Sequence, residues 1–243
     1  MQRYISKPDS DRFGFPVARI DHFPGPVAAG IEQFREMGVG LVISLAPAGE
    51  IALVNEMEQA GFRLKDVHVT YDFGLDRKPP RRSAPGAYRY RKFRPEDTGA
   101  LLEIAATSFA GYGHYSRLER PLAPVDTGVI YADWLRRCCR EREAADHLIV
   151  AERQGEVVGF LALKIGQDTS PGHAVAVLGA VAPRHRGLGV YRALNIEALR
   201  WAARKGLARM EQRVLVHNYA ANRTISALGF TILCGDVTLH CRL

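Results

Sequence analysis

Apolar positions along the chain follow two alternating rhythms. Val17–Ile20, Val39–Leu45 and Val67–Phe73 read as strands; between them Val27–Met37, closed by Gly38, and Gly49–Gln59 keep a helical period. This predicts a strand–helix–strand–helix–strand unit of about 75 residues, small for a core that must stand alone. Further on, Tyr88–Phe93 reads as a strand. Asp97 opens a helix carrying Leu101, Leu102, Ile104 and Ala105 as far as Phe109. Gly111–Pro124 is an irregular loop holding Tyr112, His114 and Tyr115, and Thr127–Arg137 is helical with Ile130, Trp134 and Cys138 on one face. His147–Ala151 and Val157–Lys164 are strands joined by a Gln154-Gly155 turn. Ala174–Ala182, an unbroken apolar run ended by Pro183, fits a central strand buried on both faces.

The seam between the two patterns is Asp76–Arg94, where prolines and glycine interrupt a run of Arg77, Lys78, Arg81, Arg82, Arg89, Arg91, Lys92 and Arg94. Like charges keep such a segment hydrated. The expected organisation is a small α/β domain at 1–76, a basic Pro-rich linker at 77–87 and a larger domain at 88–243. The linker could also touch RNA, but it lacks the aromatic face on which single-strand binders stack bases. Of 243 residues, 47% are apolar and 24% charged, as in folded domains. No window reaches the ~18 apolar residues of a membrane helix, and the first residues lack a leader's apolar stretch. No membrane and a cytoplasmic location are therefore expected. The net charge of +7 favours anionic partners. Cys138, Cys139, Cys234 and Cys241 form no metal-like spacing, so no metal is expected and the thiols are read as incidental.

One echo runs through the chain. Ala60-Gly61-Phe62 followed by Val69-Thr70 returns as Leu228-Gly229-Phe230 followed by Val237-Thr238. The shift is the same in both places (229 − 61 = 168): two short matches that are either chance or the mark of a first domain that is a worn copy of the second one's C-terminal half.

The stretch richest in chemistry is Val181-Ala-Pro-Arg-His-Arg186-Gly187-Leu188-Gly189-Val190-Tyr191-Arg192. A buried strand ends, the chain turns on glycines, and a helix begins with Val190, Leu194, Ala198, Trp201 and Ala202 on one face, stopping at Gly206. Glycines let the backbone turn tightly and approach a ligand. The first helical N–H groups lack intrahelical partners and, with the helix dipole, form an anion site. A pyrophosphate fits it without a lysine. A strand at Met210–Val216 follows, then His217 and Asn218, a short helix at Ala220–Leu228, and Gly229-Phe230.

As a set, Val181-x-Pro183, Arg186-Gly187-x-Gly189, Asn218-x-x-Ala221 and Gly229-Phe230 resemble the GCN5-related N-acetyltransferase (GNAT) superfamily over residues 87–243. The resemblance implies a mixed-sheet α/β GNAT fold preceded by a smaller degenerate GNAT-like domain, with acetyl-CoA held between two splayed parallel strands. Arg186 and the backbone of Gly187, Leu188, Gly189, Val190, Tyr191 and Arg192 would hold the diphosphate. Gly179, Ala180 and Val181 would bond the pantetheine and acetyl carbonyl, and Asn218 would reach the cofactor from the second strand. An amide near Val181 would stabilise the developing oxyanion. The acceptor must be a neutral amine whose proton a base removes.

Two positions depart from the family pattern. Tyr191 stands at the usual second helix-start glycine, putting a phenol beside the site. Ile225 stands where a tyrosine often serves as acid toward the sulfur. The candidate catalytic residues are His114, Tyr191 and His217. His114, Tyr115 and Tyr131 are the candidate substrate contacts, although Tyr131 and Trp134 also read as core. His185 is read as solvated, and Asn218 could merely cap the following helix. Within the superfamily the chain is similar to the bacterial dTDP-fucosamine N-acetyltransferases through Phe13-Gly14-Phe15-x-Val17-Ala18-Arg19-Ile20 and Tyr131-Ala132-x-Trp134. That implies a nucleotide-linked amino-deoxysugar as the small-molecule amine partner, and it leaves a homodimer open. A peptide, lysine or polyamine acceptor is the alternative. A non-catalytic acyl-CoA sensor, suggested by Ile225, is another.

Overall fold

The computed structural model describes all residues except 22, 24, 81–87, 118–125 and 167–171, so part of the expected linker and loop lies outside the described residues. In chain order the first elements are α1 (Lys7–Phe13), β1 (Val17–Ile20), α2 (Val27–Glu36), β2 (Leu41–Pro47), α3 (Ile51–Gln59) and β3 (Arg63–Gly74). Then come β4 (Arg89–Lys92), α4 (Thr98–Ser108), α5 (Thr127–Arg140), β5 (His147–Arg153), β6 (Glu156–Gly166) and β7 (His173–Val181). α6 (Val190–Arg204), β8 (Arg209–Leu215), α7 (Tyr219–Ala227) and β9 (Thr231–Arg242) complete the chain. Among the described residues no helix is long and apolar enough to cross a membrane.

Two compact units result. One holds Met1–Val69, Arg117–Pro124 and Cys234–Leu243, the other Thr70–Ser116 and Val125–Leu233. The division cuts through β3 and β9, so it differs from the 76/88 seam drawn from charge and proline. In the first unit β1 runs parallel to β2, and β2 pairs antiparallel with β9 from Leu41↔Arg242 to Pro47↔Asp236. Its core gathers Ile20, Phe34, Val42, Met57, Phe62 and Leu239. The helix α1 has no apolar stripe and the hydrophobic pattern does not announce it. It is set by a Ser6 cap, a proline in its first turn and Gly14 at φ 75°, and buried Asp9 binds Arg12 and Arg19 at 2.8 and 2.6 Å.

In the second unit β4–β5–β6–β7 form an antiparallel meander, and β8 joins β7 in parallel. The β5–β6 turn has Gln154 and Gly155 both at positive φ, 51° and 84°, as a two-residue hairpin needs. Phe160, Ala162, Leu178 and Ala180 face α4 and α5 in one core cluster. Leu161 and Leu163 are equally buried on the other side of the alternation, and α6 packs on β5, β6 and β7. A Cβ at Gly128 would fall 2.4 Å from the Ala106 carbonyl oxygen, so glycine is what lets α5 come that close to α4. The basic run is not a uniform hydrated arm. Arg91 sits in β4 with Nη1 and Nη2 on Asp97 (2.7 and 2.8 Å) and Nε on Glu152 (2.6 Å), which removes it from any RNA-binding surface.

The echo seen in sequence extends to whole elements. β2, α3 and β3 correspond to β8, α7 and β9 with every bound displaced by 168 (209 − 41, 219 − 51, 231 − 63). Gly38 and Gly206, which stop α2 and α6, share φ near 70° (70° and 69°). Gly61 and Gly229 sit at 95° and 90°, and the amides of Phe62 and Phe230 close onto Met57 and Ile225 carbonyls. The β2–α3–β3 segment therefore repeats the local architecture of β8–α7–β9.

Candidate active site

The glycine turn follows the end of β7. The register of β7 with β8 holds for Ala174↔Met210, Val175↔Glu211 and Ala176↔Gln212 and then stops. On the other edge, β7 stays paired with β6 through Val181, with a shift where Ala162↔Leu178 meets Leu163↔Ala176. Val177 is thus an extra residue, a bulge of the kind that bends and twists a strand. It sits where β7 leaves β8. Among the described residues, the rest of β7, toward Gly179 and Val181, has no strand partner on the β8 side. Backbone N–H groups alternate between strand edges, and Ala182 N–H donates to Val158 on the β6 side (2.9 Å). The amides of Val181 and Gly179 accordingly face the opening.

At that opening Gly187 and Gly189 both adopt left-handed backbone, φ 74° and 76°, and an added Cβ at either would meet nothing within 4 Å. The turn is exposed and clear on its outer side. The Ala193 N–H donates to the Gly189 carbonyl at 3.0 Å, so the amides before Ala193 precede the helix's own ladder. Helix-start amides of this kind, beside an uncluttered turn, can take an anion. Arg186 does not turn its side chain outward here. Its Nε donates to the Val181 carbonyl (3.0 Å) and its Nη2 to Ser108 Oγ (3.0 Å), fastening the turn to the end of β7 and to α4.

Beneath the opening lies a closed ring of polar bonds. Tyr191 Oη donates to Gln212 Oε1 (3.2 Å), Gln212 Nε2 donates to Asn195 Oδ1, and Asn195 Nδ2 donates to the Tyr191 carbonyl (2.9 Å). Asn195 and Gln212 are 0% and 1% exposed. Gln212 is the last residue of β8 in register with β7. The Tyr191 ring reaches Gly179, where an added Cβ would meet Tyr191 Cε2 at 3.5 Å. The phenol thus spans from the free part of one strand to the last rung of the other. Burial pushes its pKa up to about 12, with Asn195 pulling the other way and Tyr112 adding to the rise. At neutral pH the phenol stays protonated, with its hydrogen on Gln212.

On the acceptor side expected from sequence, Phe109 and Tyr131 stack at 4.4 Å, with Tyr112 edge-on to both (5.3 and 5.8 Å) and Trp134 beside Tyr131 (6.0 Å). Tyr131 is half-buried against the α4–α5 core, which serves both of its readings. His114 and Tyr115 lie in a single 3-10 turn with rings 4.0 Å apart, Tyr115 buried and His114 half-buried. His217 is exposed just past β8. Asn218 caps α7, its Oδ1 accepting the Ala221 amide at 3.3 Å.

Two features escaped the sequence. His185, expected to be solvated, is buried: its Nδ1 is 3.1 Å from Tyr88 Oη, and burial lowers its pKa. Asn222 binds the turn after β8, its Nδ2 donating to Leu215, Val216 and Asn218 carbonyls (3.0, 3.2 and 2.9 Å) while its Oδ1 accepts from Tyr71 Oη (3.0 Å). Gln212 left a signal, being a polar residue at the inward position between Met210 and Val214. Asn195 and Asn222 left none on helices with mixed faces.

The profile of the acetyltransferase (GNAT) family matches residues 100–230, which include the bulged strand, the glycine turn and Asn218. The chain belongs to the GNAT acetyltransferase family. It is 32% identical over 161 residues to a mycothiol acetyltransferase of Sanguibacter keddieii, covering 64% of this chain and 47% of that protein. It is 30% identical over 196 residues to one of Acidothermus cellulolyticus, covering 75% and 57%. The chain thus spans about half the length of these curated relatives. Among solved GNAT structures, a tandem GNAT protein from the clavulanic acid biosynthesis pathway superposes with TM-score 0.64 at 16% identity, covering 94% of this chain and 76% of that one. A GCN5-related N-acetyltransferase from Sphaerobacter thermophilus gives 0.60 at 23% identity, covering 89% and 66%. These likenesses concern the fold. GNAT acetyltransferases draw their acetyl group from acetyl-CoA, and the residues present fit it: an open strand edge with inward-facing amides, beside an uncluttered glycine turn at a helix start. The relatives matched are named for mycothiol, not for nucleotide amino-sugars, so the finer branch assigned from Phe13–Ile20 and Tyr131–Trp134 gains no support from them.

Proposed function

We propose that the chain is an acetyl-CoA-dependent N-acetyltransferase acting on the amine of a small acceptor by direct attack with both substrates bound. The observation that carries this reading is the parting of β7 from β8 after Ala176↔Gln212, next to a glycine turn clear of side chains. The backbone of Gly187–Arg192 holds the diphosphate. Gly179, Ala180 and Val181 align the pantetheine arm and offer an N–H to the acetyl oxygen, where a fixed donor needs little reorganisation. Asn218 keeps its side-chain oxygen for the helix cap and turns its amide to the cofactor. Bound acetyl-CoA supplies the thioester to be cleaved.

His114 takes the proton from the acceptor amine, with His217 as the exposed alternative. Tyr191, protonated at working pH, is the candidate donor on the sulfur side in place of the missing tyrosine at Ile225, and to serve it must exchange its bond to Gln212 Oε1 for one to the sulfur. Tyr115 and Tyr131 flank the acceptor. The names of the matched relatives, mycothiol acetyltransferases, support the amine precursor of mycothiol as the first acceptor to try. A nucleotide-linked 4-amino-4,6-dideoxyhexose is the second reading, supported by Tyr131-Ala132-x-Trp134 and Phe13–Ile20. Release of free CoA, measured with acetyl-CoA and a panel of desacetyl-mycothiol, amino sugars, nucleotide amino-sugars, polyamines and peptides, separates these. Turnover on one small amine supports the proposal. Tight CoA binding without turnover on any acceptor replaces it with a sensor.

A further inference from the structure

The second unit has a cation-rich end that the acetyl transfer does not use. A cavity of about 490 Å³ opens there among Lys92, Arg142, Asp146, His147, Trp201 and Lys205. It lies toward the other end of α6 from the glycine turn: Trp201 is 11 residues past Val190, about 16 Å along the helix axis. Elsewhere in this unit several arginines are matched with acids, among them Arg91 with Asp97 and Glu152 and Arg209 with Asp72 and Glu211. Among the described residues Lys92, Arg142 and Lys205 have no such partner. The one acid in the lining, Asp146, already accepts the Ile165 amide through Oδ2 at 2.7 Å. Three cations against one carboxylate leave the concavity with a net positive charge (3 − 1 = +2), and the potential it focuses is one an anion would relieve.

The wall beside them is flat. The rings of His147 and Trp201 stack with centroids 5.0 Å apart and planes 2° from parallel. Burial, with Lys92, Arg204 and Lys205 nearby, holds the imidazole pKa down at about 4. At neutral pH His147 is therefore a neutral ring, and the cavity's charge comes from the lysines and the arginine. Ammonium and guanidinium groups make strong charge-assisted hydrogen bonds to phosphate oxygens. The volume is generous for a bare phosphate.

We propose that this cavity is a second, separate anion site that binds a small phosphate-bearing molecule, with Lys92, Arg142 and Lys205 on the phosphate oxygens and the His147–Trp201 pair as the wall its remaining atoms rest on. The site does not depend on the acetyltransferase reading. Its test is calorimetry on the full chain at physiological salt, with one equivalent of CoA per chain to fill the glycine turn and leave the second site open to the probe. The probes are inorganic pyrophosphate and ADP.

The expected result is one further equivalent of probe, bound about tenfold or more weakly by the Lys92→Ala/Lys205→Ala double variant and unchanged by Lys7→Ala, an exposed lysine of the first unit. The His147 imidazole resonances should shift on binding. Tighter binding of ADP than of pyrophosphate would point to a nucleotide as the source, and equal binding to the phosphate groups alone. No further equivalent would overturn the proposal. So would an equal loss in Lys7→Ala, which marks non-specific attraction to a basic protein, or binding of an RNA oligomer with no response to either small probe.

Discussion

Ile225 occupies in α7 the position that Met57 occupies in α3, 168 residues earlier. Both side chains are fully buried, and each residue's carbonyl accepts the amide of the phenylalanine that follows a left-handed glycine (3.4 and 3.0 Å). The residue standing where relatives often carry an acidic tyrosine is thus a core residue in this chain. Replacing it by the family's tyrosine should overpack α7 rather than restore an acid. Ile225→Tyr is expected to lose about 1–3 kcal/mol in urea denaturation, with no gain in kcat by CoA release. A faster enzyme of unchanged stability would show that the position opens onto the cleft.

The first unit closes the start of α2 with its own side chains. At the start of α2, Pro26 stands in the cap position and the Val27 amide donates to Glu56 Oε1 at 2.7 Å. A Cβ at Gly30 would meet the Phe23 ring at 2.9 Å. A carboxylate thus holds the first amide of α2, and an aromatic ring packs against its first turn. Glu56→Ala should therefore lower stability by about 1 kcal/mol, the size of a lost helix cap, while leaving the affinity for acetyl-CoA unchanged in a calorimetric titration.

The Tyr191–Gln212–Asn195 ring is closed, so breaking one member strands the others. Gln212→Leu leaves the Tyr191 hydroxyl and Asn195 Oδ1 without their partner. The expected loss is about 1–3 kcal/mol, read by chemical denaturation. Because Tyr191 lies in the first turn of α6, acetyl-CoA should also bind more weakly in this variant. A variant that loses stability and keeps full affinity would confine the ring to a structural role.

Acid should weaken the fold through His147. Its folded pKa of about 4 lies below the usual 6.5, with burial the leading cause, then Lys92, Arg204 and Lys205. The folded state thus favours the neutral ring. The stability is complete above pH 6.5 and is lost as pH falls toward 4, at a slope of up to about 1.4 kcal/mol per pH unit for one proton. Denaturation midpoints measured across that window should show the slope in the native chain and a flatter line in His147→Gln.

Where hydrophobic period governs, the chain was readable: β1 appears with its expected bounds, and α6 runs from Val190 to just before Gly206. The glycine turn was legible because only glycine adopts φ near 75° without strain and leaves room for a ligand. Other features were not. The unbroken apolar run of β7 hides the bulge at Val177, since alternation is invisible when both faces are buried. α1 rests on a cap and an ion cluster that carry no periodicity. Arg186 looks like a phosphate ligand, yet its guanidinium bonds Val181 and Ser108, and His185 looks like a surface residue until Tyr88 folds over it. The ring joining Tyr191, Gln212 and Asn195 brings together residues up to 21 positions apart, and a single sequence does not announce such pairings.

The central claim is that the opening beside β7 receives coenzyme A. A crystal structure of the chain with CoA tests it most directly. The diphosphate should lie within about 3 Å of the backbone amides of residues 187–192, with the pantetheine arm along Gly179–Val181 in the gap after Ala176↔Gln212. CoA bound elsewhere, or a gap closed by the chain's own side chains under saturating CoA, would contradict the account.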